Sequence, residues 1–259
     1  MAAFGALLAS IICGGPDGVT ENLVDVALSM AVVALFTAAG NAYNDYSDRE
    51  IDKKAHPERP LPSGTVAPVA AAVSAVVLFA ASGILSLFVG LWSIAIVITS
   101  MLVMVAYETW LKAQGFAGNL AISWLTGALF LFGGAAVGRL ELAWILAALA
   151  FLATLGREIV KDIQDIEGDK GARTTLPMMI GVRNAGLAGS AAFVVAVALS
   201  PLPYFLNLLS VWYLVVVLAS DAIFIYCAMI HFESPEKGQK TAKLAMFVAL
   251  VAFLLGGVF

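Results

Sequence analysis

Charge is what this sequence has least of. Asp, Glu, Lys and Arg make up only 12% of the 259 residues, about half the share of an ordinary globular domain, while 61% are apolar and the mean hydropathy is +0.96. That balance excludes a soluble globular protein. The 14 basic and 18 acidic residues give a net charge of −4, so there is no basic surplus for a nucleic-acid backbone and no nucleic-acid partner is expected. Histidine and cysteine are scarce, two of each. Cys13 and Cys227 stand singly in apolar runs, which excludes a disulfide framework or a thiolate metal centre and leaves them as packed or lipid-phase residues. Short alternating segments are also missing, and with them the signature of a transmembrane β-barrel.

What the chain has is apolar runs of about 20 residues, each long enough to cross a hydrocarbon core of roughly 30 Å. Nine are separated by polar breaks: 1–14, 22–43, 66–89, 91–111, 119–138, 141–161, 184–201, 205–230 and 240–258. The division at Gly90 is the weakest, Gly14 to Gly18 is a strong break, and Pro201-Leu202-Pro203 interrupts one long stretch. The sequence predicts an all-α polytopic membrane bundle of about nine transmembrane helices, a single domain over 1–259. The first run lacks a basic leader, and Ile12 before Cys13 spoils a lipoprotein-type cleavage site, so it reads as a span. At 14 residues it is either a short native helix or the remainder of a longer one.

Numbering the loops alternately places Arg49, Lys53, Lys54, Arg59, Lys112, Arg157, Lys161, Lys170, Arg173, Arg183, Lys237, Lys240 and Lys243 on one side, and Arg139 alone on the other. By the positive-inside rule the richer side is cytoplasmic. It also holds both long polar connections, 44–65 and 162–183. A multi-pass protein of the cell membrane with its chemistry facing the cytoplasm follows.

Two acidic clusters lie on that side. Asn44, Asp48 and Asp52 recur every four residues, so a helix presents all three on one face, with Asn41 and Asp45 close to it. Like charges at this spacing repel unless a cation holds them. Asp162, Asp165 and Asp169 repeat the design at the end of the sixth span. Oxygen ligands without His or Cys suit a hard cation such as Mg²⁺, which shares its shell with water and substrate phosphates. Arg49, Lys53, Arg59, Lys161 and Arg173 supply positive charge for the same phosphates. The pattern reads as a site for an Mg²⁺-bound diphosphate.

At these residues the sequence resembles the UbiA superfamily of intramembrane prenyltransferases. Asn44, Asp48 and Asp52 match its N-x-x-x-D-x-x-x-D signature, and Asp165 and Asp169 match its D-x-x-x-D signature. Arg59-Pro60-Leu61-Pro62-Ser63-Gly64 is similar to the connection after the first signature, and Tyr107-Glu108-Thr109-Trp110-Leu111-Lys112 with Gly118-Asn119 to the loop between the fourth and fifth helices. Gly156-Arg157-Glu158 through Asp169, with Thr175-Leu176-Pro177, is most similar to the archaeal digeranylgeranylglyceryl phosphate synthases within the superfamily. The resemblance implies nine helices around a central cavity open to the cytoplasm and laterally to lipid. It implies one Mg²⁺ on Asn44, Asp48 and Asp52 and a second on Asp165 and Asp169, with Asn41, Asp45, Asp162, Tyr107 and Asn119 supporting. Arg49, Lys53, Arg59, Lys112, Arg157 and Lys161 would hold the diphosphate or an acceptor phosphate.

The implied partners are a polyprenyl diphosphate donor, a lipid acceptor and membrane lipid. The implied reaction moves a geranylgeranyl group onto the glycerol hydroxyl of geranylgeranylglyceryl phosphate and forms an ether. A prenyltransferase acting on a hydroxybenzoate, naphthoate or tetrapyrrole would share the metal site and stays open, as does, more remotely, a divalent-cation or lipid transporter. Tyr43, Tyr46, Tyr107, Trp124 and Phe132 are candidates for facing an allylic cation. Asp221, the one acid near the middle of a span, reads as an internal hydrogen-bond partner.

Overall fold

The computed structural model describes residues 2–171 and 173–259, apart from the side chains of Lys54 and Ala55, so the Lys54 ammonium counted above lies outside the described residues. Among those residues nine helices are long and apolar enough to span a membrane, and no strand occurs. They are α1 (Ala2–Glu21), α2 (Leu23–Ala55), α3 (Pro68–Val89), α4 (Leu91–Thr109), α5 (Phe116–Ala136), α6 (Leu140–Gln164), α9 (Val182–Leu199), α11 (Val211–Ile230) and α12 (Pro235–Val258). Three short helices connect them, α7 (Ile166–Asp169), α8 (Leu176–Ile180) and α10 (Leu202–Phe205), and a 3₁₀ turn covers Leu111–Ala113.

The helices outrun the apolar runs at informative places. In α1 the backbone breaks at Gly15, whose φ of +66° only glycine adopts readily, and Pro16 then opens a further turn and a half to Glu21. α2 continues well past residue 43 to Ala55; its 33 residues span about 50 Å, so its last turns stand clear of a hydrocarbon core. It ends where Pro57 forbids continuation, with the His56 N–H on the Asp52 carbonyl at 2.8 Å. The run expected from 205 becomes helical only at Val211, because Pro201, Pro203 and Asn207 (φ +56°) turn the chain first. The last helix begins at Pro235 rather than 240, capped by Ser234.

α5 is the partition of the bundle. It packs on α1 and α4 on one side and α6 on the other, while α12 closes against α1, α6 and α11. Close approach follows from missing side chains: a Cβ on Gly133 would lie 2.4 Å from that of Ala9 in α1, and one on Gly127 would lie 2.7 Å from the Ala147 carbonyl in α6. The interior space is divided accordingly. One apolar cavity of about 240 Å³ lies among α1, α2, α4 and α5, lined by Phe36, Asn41, Ser100, Met104 and Phe132. A second, of about 300 Å³, lies among α5, α6, α9, α11 and α12, lined by Thr126, Ala153, Ala196, Phe224 and Phe247. Phe247 is itself lipid-exposed, so this space reaches the outer surface. On its wall Ser200 Oγ donates to Asp221 Oδ2 at 2.6 Å, which gives Asp221 the internal role read from the sequence.

Candidate active site

Both acidic clusters lie at one end of the bundle, where the end of α2, the α4–α5 loop and the end of α6 meet. The Asn44 side-chain amide donates to Asp48 Oδ2 at 3.1 Å and, across 64 positions of sequence, to Glu108 Oε2 at 2.9 Å. Lys112 Nζ donates to Asp48 Oδ1 and to Glu108 Oε2, the latter at 2.9 Å. Ser47 Oγ fastens the same junction by donating to the Glu108 carbonyl at 3.0 Å. Burial alone would lower the Lys112 pKa, but its bonds to the two carboxylates outweigh that and hold it above the ordinary lysine value. It is a fixed cation at working pH. Asp52, buried one turn beyond Asp48 along α2, accepts from Arg59 Nη1 at 2.8 Å, so the connection after α2 folds back onto the helix that precedes it.

The second cluster starts on α6. Asn119, near the start of α5, donates to Asp162 Oδ2 at 2.9 Å, both side chains being buried. Asp165 ends α6 and Asp169 ends α7. Arg173 reaches back to Asp169 Oδ1 at 2.7 Å, and that bond raises its pKa further although burial opposes it. Asp169 Oδ2 is shut off from solvent and has no donor among the described residues. A small polar pocket lined by Tyr107, Lys112, Asn119, Glu158, Lys161, Asp162 and Arg173 lies beside the second cluster, and Lys112, bonded to Asp48, reaches it from the first.

The loop that carries Lys112 is held from two sides. Thr174 donates its N–H to the Ala113 carbonyl at 3.2 Å, tying the α4–α5 loop to the connection after α7. Gly115 lets them touch: its φ is +47°, and a Cβ there would stand 2.6 Å from the Thr174 carbonyl oxygen.

The remaining expected residues are placed less uniformly. Asn41 lies one turn before Asn44 and lines the first apolar cavity. Asp45 and Asp165 have no side-chain partner among the described residues. Arg49 lies over the Tyr46 ring, 4.5 Å from its centre, and bonds the Tyr46 carbonyl; Lys53 pairs with Glu50 on the exposed side of α2. Neither touches a signature carboxylate. Arg157 pairs with its neighbour Glu158, while Lys161 lines the polar pocket. Of the aromatic candidates, Tyr107 lines that pocket and Phe132 the first cavity. Glu108 joins the site without belonging to either signature, although an acid four residues before Lys112 at the end of an apolar helix is a readable signal.

Among the described residues no three His, Cys, Asp or Glu side chains are close enough to form a ready-made metal cluster. The donor set nonetheless fits Mg²⁺. It is made of oxygens, one of them the buried and unpartnered Asp169 Oδ2, and Asp48, Asp52 and Asp169 each already hold a cationic side chain. Lys112, Arg59 and Arg173 neutralise the positions that hard cations would take, and they are the groups that could pass to a diphosphate.

The UbiA prenyltransferase family profile matches residues 2–251. The digeranylgeranylglyceryl phosphate synthase of Natronomonas pharaonis is 44% identical over 235 residues, covering 89% of this chain and 84% of its own. That of Methanosphaera stadtmanae is 38% identical over 262 residues, covering 99% and 94%. A solved digeranylgeranylglyceryl phosphate synthase structure superposes with a TM-score of 0.93 at 33% identity, over 99% of this chain and 93% of that one. A UbiA homologue from Archaeoglobus fulgidus bound to GPP and Mg²⁺ shares the fold, with a TM-score of 0.63 at 12% identity, over 98% and 96%.

Proposed function

This chain belongs to the UbiA prenyltransferase family, and from that premise we propose that it transfers a geranylgeranyl group from geranylgeranyl diphosphate to the glycerol hydroxyl of geranylgeranylglyceryl phosphate. The observation that carries this reading is the identity of 36–44% to digeranylgeranylglyceryl phosphate synthases along 89–99% of the chain. The geometry supports it: two acid clusters, each paired with cationic side chains, at one end of the bundle, above two separate apolar spaces. Two long chains must meet in this reaction, and α5 separates two places to put them.

In this reading Asn44, Asp48 and Asp52 hold one Mg²⁺ and Asp165 and Asp169 a second, with Asp45 and Asp162 in support. When bound, the metal ions offset the charge that develops on the departing diphosphate. Lys112, Arg59 and Arg173, released from the carboxylates they neutralise here, bind phosphate oxygens together with Lys161 of the polar pocket. Asn41 and the apolar walls below it receive the donor chain, because that cavity begins one turn from Asn44. Those walls keep water from the allylic carbon. The C1–O bond breaks with its electron pair going to the diphosphate, the glycerol oxygen bonds to C1, and the hydroxyl proton passes to the departed diphosphate once the ether has formed. A cytoplasmic active face is part of this reading, and the distribution of basic residues supports it.

The test is transfer from radiolabelled geranylgeranyl diphosphate in detergent with Mg²⁺, offering geranylgeranylglyceryl phosphate and 4-hydroxybenzoate separately. An ether-lipid product supports the reading. A prenylated aromatic replaces it with the other acceptor class.

A further inference from the structure

Glu108 belongs to neither signature, and it is the most deeply buried acid of the site at 4% exposure. A carboxylate in that position is costly unless its bonds do something that a neutral residue could not. Its Oε2 accepts from two residues, Asn44 and Lys112. The first bond fixes how the Asn44 amide is turned. With Nδ2 donating to both Glu108 and Asp48, Oδ1 receives no bond from any described residue and stays available to a cation. The second bond fixes where Lys112 stands. Its ammonium is shared between Asp48 and Glu108, so a cation that displaces it from Asp48 leaves it tethered to Glu108, beside the polar pocket it also lines.

We propose that Glu108 is a positioning residue for the prenyl-transfer reaction, orienting the Asn44 amide toward the cation and holding Lys112 ready for the diphosphate. This rests on the reading of Asn44, Asp48 and Asp52 as cation ligands. A carboxylate that orients a metal ligand from behind typically contributes tenfold or more to metal affinity. Glu108→Gln removes the charge and offers an amide that can turn Asn44 over. Glu108→Asp keeps the charge and withdraws it by about one methylene, roughly 1.5 Å, so it should fail as well.

The experiment needs no turnover. The full chain in detergent is melted while MgCl₂ is titrated in the presence of inorganic diphosphate, and the Mg²⁺ concentration at half of the thermal shift is read. The expected result is a midpoint about tenfold higher for Glu108→Gln than for the wild type, with Glu108→Asp still several-fold high. An unchanged midpoint in Glu108→Gln overturns the proposal. Full recovery in Glu108→Asp overturns it too, since only charge and not placement would then matter. If Glu108→Gln does not fold, the double variant Glu108→Gln/Lys112→Met is compared with Lys112→Met in the same titration. Asp48→Asn separates the two levels of inference. If it still responds fully to Mg²⁺, or the wild type gives no shift, the cation site itself is wrong. If it abolishes the shift while Glu108→Gln behaves as wild type, only the role of Glu108 falls.

Discussion

Replacing Lys112 by methionine should make the protein weaker without Mg²⁺ and more responsive to it. Lys112 is the only described cation bonded to both Asp48 and Glu108, 2.9 Å from the latter. Methionine keeps an unbranched side chain as far as Cε and removes the charge. The two carboxylates then face each other across the vacated position, about 5 Å apart, and an effective dielectric constant near 20 sets their repulsion at roughly 3 kcal/mol. Part of that will be relieved by movement of Asp48, which is a quarter exposed, so a loss of about 1–2 kcal/mol is the working expectation. For a domain of this size that corresponds to a fall of about 2–6 °C in melting temperature. The assay is thermal unfolding in detergent, once in EDTA and once in Mg²⁺ with inorganic diphosphate. The stabilisation by Mg²⁺ should be larger in the variant than in the wild type, because the cation no longer has to displace an ammonium. Turnover should fall at least tenfold in the same variant, since the diphosphate loses a ligand. Equal melting temperatures in EDTA together with equal Mg²⁺ shifts would refute the charge argument.

Three further perturbations probe other parts of the structure. Ala153→Phe fills the cavity among α5, α6, α9, α11 and α12, and should raise KM for the acceptor several-fold while leaving the donor KM within twofold; a change confined to the donor would reverse the assignment of the two spaces. Gly115→Ala forces a side chain into positive φ against the Thr174 carbonyl, at a local cost of about 1–2 kcal/mol. It should speed limited proteolysis of the α4–α5 loop and lower turnover, whereas an unchanged cleavage rate would show that the loop is not strained. His231 is buried, which lowers its pKa, and Ser190 fixes its tautomer: the Ser190 hydroxyl proton goes to the Ala228 carbonyl, so Nε2–H donates to Ser190 Oγ at 2.7 Å. The unfolded chain therefore binds the extra proton first, and the contribution of the neutral ring is complete above the ordinary imidazole value near 6.5 and shrinks as the pH falls below it. Between pH 7.5 and 5.5 the melting temperature should fall more steeply in the wild type than in His231→Asn; parallel slopes would dispose of the idea.

Much of this was legible in the chain because the relevant signals are local. The four-residue repeat of Asn44, Asp48 and Asp52 says that α2 continues as helix past the last apolar residue, and α2 does continue, although the apolar run alone stops at 43. What the sequence could not show is which donor answers which carboxylate. Lys112 meets Asp48 across 64 positions and Asn119 meets Asp162 across 43, and no periodicity reports such a distance. Arg49 and Lys53 illustrate the converse. One sits within the signature and the other directly after it, yet long side chains choose among neighbours, and these two turn to Tyr46 and Glu50. The two-part interior was hidden for a similar reason, since it depends on how closely α5 approaches α1 and α6 at Gly133 and Gly127, a property of helix pairs rather than of any one run.

The length of α2 has a consequence for how the substrates arrive. A twenty-carbon chain drawn wholly into water would cost about 0.8 kcal/mol per carbon, on the order of 16 kcal/mol, which no ordinary binding step recovers. A helix that carries its carboxylates up to about two and a half turns past the apolar run allows the charged head of such a molecule to be gripped at the water boundary while its tail stays dissolved among the lipids. Encounter then becomes a search in two dimensions, and the product drifts away along the same plane into the bilayer it builds.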